Sequence, residues 1–246
     1  DSVGIFKPKV DKKHGEQKHF NWRKLLTSHE SAHVIFTLST QAVLGAFLMI
    51  VSAGLFSIDS LAALNAAALK LPLLGIMFVM LTYGLFKLNM HLGKPHRFYR
   101  GFNNLRLSPL SREIAGVSGF YTFLMAYGFF SIFDNSLFNM LANASGVLGA
   151  ISGLIGLYYM YKIYRIKARP FWDNWQTGSA FFGNTISFGA LLTGLISLPL
   201  LVIEQATLTL ATPLMALISV GLVLELIGHI AHSRAMAKLE NEGAAS

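Results

Sequence analysis

The chain has 246 residues, no cysteine, a formal net charge of +8 and only 13% charged residues, about half the roughly 25% usual in a soluble domain. That balance excludes a water-soluble globular domain. With no collagen period, low-complexity tract or disulfide framework, the remaining class is a protein whose solvent is largely lipid. Without thiolates the chain cannot itself ligate an iron–sulfur cluster, attach a c-type haem or build a cysteine zinc site, so any such centre belongs to a partner.

Residues 1–30 form a polar, basic tail, the opposite of the apolar segment of a secretion signal. Six apolar stretches follow, each long enough for the roughly 20 residues of helix that a bilayer requires. They are placed near 31–57, 71–91, 113–133, 143–163, 178–203 and 211–231. No charge falls between Asp134 and Lys162, or between Asp173 and Glu204. The expected fold is all-α, a polytopic membrane bundle of about six transmembrane helices over residues 31–233, with a C-terminal tail over 234–246. The fourth span carries Gly146, Gly149, Gly153 and Gly156, a small-residue spacing that lets helices approach closely.

The loops alternate in charge. Seven Lys and Arg lie in the N-terminal tail, six between spans two and three, four between spans four and five, and two in the C-terminal tail. Lys70 alone lies in the other loops. Both ends of the chain therefore belong on one basic face, which the positive-inside rule expects in the cytoplasm. Trp22, Trp172 and Trp175 sit beside spans on that face, as interfacial aromatics do. Lys and Arg next to spans are topology signals and contacts to anionic lipid rather than a nucleic-acid footprint. The long loop from Gly93 to Arg112 on an otherwise economical chain adds a docking surface for a protein as a second reading.

Ionisable residues inside or at the ends of spans are expensive in lipid and point to function. Lys87 and His91 share a face at the exit of span two. Gly93 and Pro95 stop that helix, and Ser108 followed by Pro109 has the form of an N-cap with proline at the first helical position. Glu113 then falls in the second turn of span three. A histidine and a carboxylate at the mouths of adjacent helices suit quinol oxidation, which requires acceptors for two hydroxyl hydrogens and a base for two protons. The alternative is an interfacial pairing with Lys87, Arg97 or Arg112, and spacing alone favours it. His29, Glu30 and His33 open span one; two imidazoles at i, i+4 are a weak metal signal, and a polar helix start explains them as well. Glu225, His229 and His232 line one face of span six, either as a proton path or as a pairing between helices. Asn184 in span five reads as a helix–helix contact. A membrane haem b needs two deep histidines on facing helices, and His33, His91 and His229 all lie near span ends.

Three blocks resemble a known family, the membrane anchor (C) subunit of dimethyl sulfoxide reductase, within the wider set of quinol-interacting anchors of molybdopterin oxidoreductases. HESAHVIFTLSTQAVLGAFL from His29 looks like its first span. HLGKPHRFYRGFNNLRLSPLSREIAG from His91 looks like its signature loop. YRIKARPFWDNWQTGSAFFGNTISFGALL from Tyr164 looks like its entry to span five. The resemblance implies a complex in the prokaryotic plasma membrane: a molybdopterin catalytic subunit, an iron–sulfur electron-transfer subunit, and an anchor that binds menaquinol and carries neither haem nor cluster of its own. It implies His91 and Glu113 as the quinol-oxidising pair, with His29, Glu30 and Arg112 as further binding residues and no metal ligands. Members typically have eight spans, and the basic tail has no family counterpart. A haem b anchor and a small multi-pass transporter are the competing readings; internal inverted repeats, expected of many transporters, are not evident.

Overall fold

The structure is a computed structural model that describes residues 29–91, 95–165, 173–201 and 204–244; the side chains of residues 29–30, 91, 95, 204–205 and 238–244 lie outside that description, as do Trp22 and Trp172. Six long α-helices and three short 3-10 turns make up the described residues, with no strand among them. The helices are α1 (His29–Phe56), α2 (Ala67–His91), α3 (Pro109–Phe130), α4 (Ser136–Tyr164), α5 (Trp175–Ser197) and α6 (Glu204–Ala244). The polytopic helical bundle read from the sequence is thus the observed architecture.

Local chemistry sets the helix ends. Ser108 caps α3, its hydroxyl accepting from Ser111 N, and Pro109 occupies the first turn, as the sequence leads one to expect. Asn135 Oδ1 accepts from Leu137 N at 2.9 Å and starts α4 seven residues before the expected 143. The early polar turn, with Asn139 in it, hides this start from a hydropathy reading. Helix α5 ends at Ser197, short of the expected 203, because Leu198-Pro199-Leu200 tightens into a 3-10 turn at a proline that has no N–H to give. Helix α6 begins seven residues ahead of expectation, runs through Pro213 and spans 41 residues. That is about 61 Å of helix, roughly twice the hydrocarbon thickness of a bilayer. Ser57, just past α1, has φ of 50°, so a serine takes the left-handed position where glycine is usual.

Five of the helices are long and apolar enough to cross a membrane. Helix α3 has the length, but Arg112, Glu113 and its serines, threonine, tyrosines and glycines dilute its apolarity. It packs antiparallel on α4 all the same. Helix α1 is the hub: 72% of its span is buried, against 17% for α6, and α2, α4 and α5 all pack on it.

Lipid tails are as apolar as leucine, so the hydrophobic effect does little to press these helices together, and close packing must do so. The glycines supply it. A Cβ on Gly116 of α3 would stand 2.5 Å from Gly156 N of α4. Along α4, Gly149 lies under the Phe47 ring, Gly153 under Leu44 and Phe120, and Gly146 between Tyr127 and Val51. Phe47 meets Phe120 and Tyr127 edge-on at 5.3 and 5.4 Å. The α4 glycine row therefore packs, as its spacing led us to expect, into the seam with α1 and α3. Two further backbone crossings join α1 to α5 at Gly45 and Gly189, and α5 to α6 at Gly183 and Gly221.

Candidate functional site

The up-and-down order brings the end of α2, the start of α3, the end of α4, the start of α5 and the start of α1 to one end of the bundle. The loop leaving α2 folds into a 3-10 turn over Pro95–Phe102 and lies on α3. Gly101 permits the contact, since a Cβ there would stand 2.6 Å from Ile114 Cδ1.

Arg112 fastens this loop. Its Nε donates to Leu105 O at 2.8 Å, one terminal nitrogen donates to Arg106 O, and the other donates to the Tyr159 hydroxyl at 3.0 Å. The guanidinium also lies 5.2 Å from the Tyr159 ring centroid. Much of its donor fork is therefore engaged by protein carbonyls and a phenol. Replacing Arg112 with alanine should expose the bond after Arg106 to trypsin about tenfold or more, because each charge-assisted hydrogen bond contributes about 1.5–3 kcal/mol and cleavage follows the opened population. Mass analysis of limited digests checks this. Arg112→Lys should not restore protection, since an ammonium cannot reproduce the fork.

Glu113 is directed inward. It is 7% exposed, with Val117 and Phe120 following it on the buried side of α3. Tyr164, the last residue of α4, feels the Glu113 carboxyl and hydrogen-bonds Thr37 of α1. Through Tyr164, α1 and α4 are thus tied together within electrostatic range of the carboxyl.

One cross-link sets the depth of the neighbouring helix. Thr82 Oγ1 of α2 and Tyr121 Oη of α3 are 2.9 Å apart, and Phe78 stacks on the Tyr121 ring at 5.3 Å. From that tie His91 lies nine residues further along α2, about 13.5 Å, and Glu113 lies eight residues back along antiparallel α3, about 12 Å. The α2 backbone at His91 and the α3 backbone at Glu113 therefore stand at similar depth on adjacent helices. His29 and Glu30 open α1 at the same end; their side chains, like that of His91, lie outside the described residues.

The other sequence candidates lie elsewhere. Glu225 packs over Gly183, whose added Cβ would stand 2.8 Å from Glu225 Cγ, and Ser187 Oγ donates to its carboxylate at 3.5 Å. His229 Nδ1 and Gln176 Nε2 are 3.3 Å apart. These contacts join α5 to α6. His232 is buried and Asn184 half-buried. Among the described residues no three His, Asp or Glu side chains gather as a metal site. On the loop side, Arg165 Nε donates to Asp173 at 2.5 Å and its guanidinium also bonds the Tyr161 hydroxyl, which holds Arg165 firmly charged.

Tyr164, Thr37 and the Thr82–Tyr121 tie were missed in the sequence. The available signals were that Thr37 lies in the block from His29 and that Tyr164 opens the block leading into span five.

The comparison with known proteins decides the family. The DMSO reductase anchor subunit (DmsC) family matches residues 26–244. The chain belongs to that family. The C polypeptide of the anaerobic dimethyl sulfoxide reductase of Haemophilus influenzae is 28% identical over 174 residues, 70% of this protein and 60% of that one. The protein thus spans about 60% of the length of the curated relative it matches. No solved structure matches it. Membership in the anchor family agrees with the multi-pass helical bundle and with the resemblance read from the His29, His91 and Tyr164 blocks.

Proposed function

We propose that this chain anchors a DMSO-reductase-type molybdoenzyme complex in the prokaryotic plasma membrane, oxidises menaquinol where α2 and α3 open, and passes the electrons to an iron–sulfur partner. The observation that carries the reading is the buried Glu113 carboxyl, set at the depth of the last turn of α2. His91 and Glu113 accept the two hydroxyl hydrogens. Both protons leave toward the nearby basic face, and two electrons leave toward the nearest cluster of the docked subunit. A third, molybdopterin-bearing subunit delivers them to the terminal substrate. His29, Glu30 and Arg112 border the entrance from α1 and α3. The lysine and arginine asymmetry supports a cytoplasmic side for the basic face and for residues 1–30 and 234–246.

The test compares two electron donors in membranes that contain or lack this chain. Reduction driven by a menaquinol analogue should require the chain. Reduction driven by a soluble artificial donor to the catalytic partner should not. Quinol-driven turnover that survives without the chain overturns the proposal. A Soret band that belongs to the purified chain would favour a haem-bearing anchor instead.

A further inference from the structure

Asn89 lies in the last turn of α2, two residues before His91, and its side-chain oxygen is buried with no hydrogen-bond partner among the described residues. A buried amide oxygen left without a donor is uncommon in native proteins and calls for an explanation. Its place in the helix supplies one. Asn89 follows Thr82 by seven residues, so it stands on the same face of α2 two turns further on. The Thr82–Tyr121 bond fixes that face as the one turned toward α3. Asn89 is about 10.5 Å beyond the tie and Glu113 about 12 Å beyond it in the same direction. An orphaned acceptor on α2 and a buried carboxyl on α3 therefore sit at matched depth.

We propose that Asn89 is a further binding residue for the hydroquinone, its side-chain oxygen sharing with His91, in a three-centre bond, the hydrogen of the ring hydroxyl nearer α2. The inference rests on the quinol-oxidising reading and adds a specificity to it. A hydroquinone carries two O–H donors, whereas the quinone formed from it carries two carbonyl acceptors and no donor. An amide oxygen welcomes the first and faces the second acceptor to acceptor. Asn89 does not take the proton, because an amide is not a base at neutral pH. It holds the reduced ring in place and weakens the hold on the oxidised ring, which speeds product release.

The experiment uses the assembled complex in membranes, with naphthohydroquinone lacking an isoprenoid tail as donor and the corresponding naphthoquinone as inhibitor. Asn89→Leu removes the acceptor and keeps the bulk. The KM for the hydroquinone should rise about tenfold, the effect of one lost hydrogen bond, while the inhibition constant of the quinone stays level or falls. A general distortion would move both constants together, and that result, or an unchanged KM, overturns the assignment. Where Asn89→Leu fails to assemble, as judged by artificial-donor activity in the membrane, Asn89→Ala adds no bulk and is read in the same way. Glu113→Gln is measured in parallel. Full turnover in that variant withdraws Glu113, and with it the site on which the Asn89 inference rests, whereas lost turnover there with unaltered constants in the Asn89 variant removes Asn89 alone.

Discussion

Glu113→Gln should lower quinol-driven turnover about 10²–10⁴-fold, the contribution of a positioned general base, and leave the chain folded. Gln matches Glu in shape, keeps an oxygen that accepts hydrogen bonds and removes only the capacity to take a proton. The side chain is 7% exposed, and in such a setting a neutral amide is tolerated at least as well as a carboxylate. The chemical and structural consequences are therefore separable. Initial rates with a menaquinol analogue, set against rates with an artificial donor, measure the first; thermal stability in detergent measures the second. Normal quinol turnover in the variant would withdraw Glu113 from the proton path.

Gly45→Leu should be the most destabilising single substitution in the bundle, costing about 3 kcal/mol or more. A Cβ at Gly45 would overlap the Thr185 carbonyl oxygen and stand 2.9 Å from Gly189 Cα. These are backbone atoms, so no rotamer change can make room, and α1 must separate from α5. Denaturant titration in mixed micelles should show the loss, with Gly189→Leu behaving alike because it meets the same crossing from the other side. Gly75 and Gly128 supply the control, since a Cβ on either meets nothing within 4 Å. Alanine at those positions should be neutral or mildly stabilising, because glycine is about 1 kcal/mol poorer than alanine inside a helix. A gain or no change at Gly45, like that expected at Gly75, would mean that the α1–α5 contact is not what requires glycine there.

Much of this arrangement was legible in the residues. Long uncharged runs marked the helices, Ser108-Pro109 marked the start of α3, and the alternation of basic loops placed His91 and Glu113 at one end. The spacing of Gly146, Gly149, Gly153 and Gly156 announced a packing face. What stayed hidden depends on partners. Gly45 and Gly189 are far apart in sequence, and nothing local says that one will lie against the other. Thr37, Asn89 and Tyr164 carry no charge, so a hydropathy reading passes over them, yet Tyr164 comes within electrostatic range of the carboxylate, Thr37 bonds Tyr164, and Asn89 brings an unsatisfied oxygen to its depth. The end of α5 and the start of α6 were misplaced because Pro199 and Pro213 act oppositely: one closes a helix and the other is carried inside one.

The central place of α1 has a consequence for how the protein is made. The hub leaves the ribosome ahead of the helices that enclose it, and its tightest crossing joins segments 144 residues apart, as the Met49–Thr193 contact also does. At about 5–20 residues per second, α1 must wait roughly 7–30 s before α5 arrives. During that interval its bare Gly45 groove is open to the insertion machinery or to mispairing with another segment, so the order of synthesis, and not only the finished packing, constrains which residues that groove can tolerate.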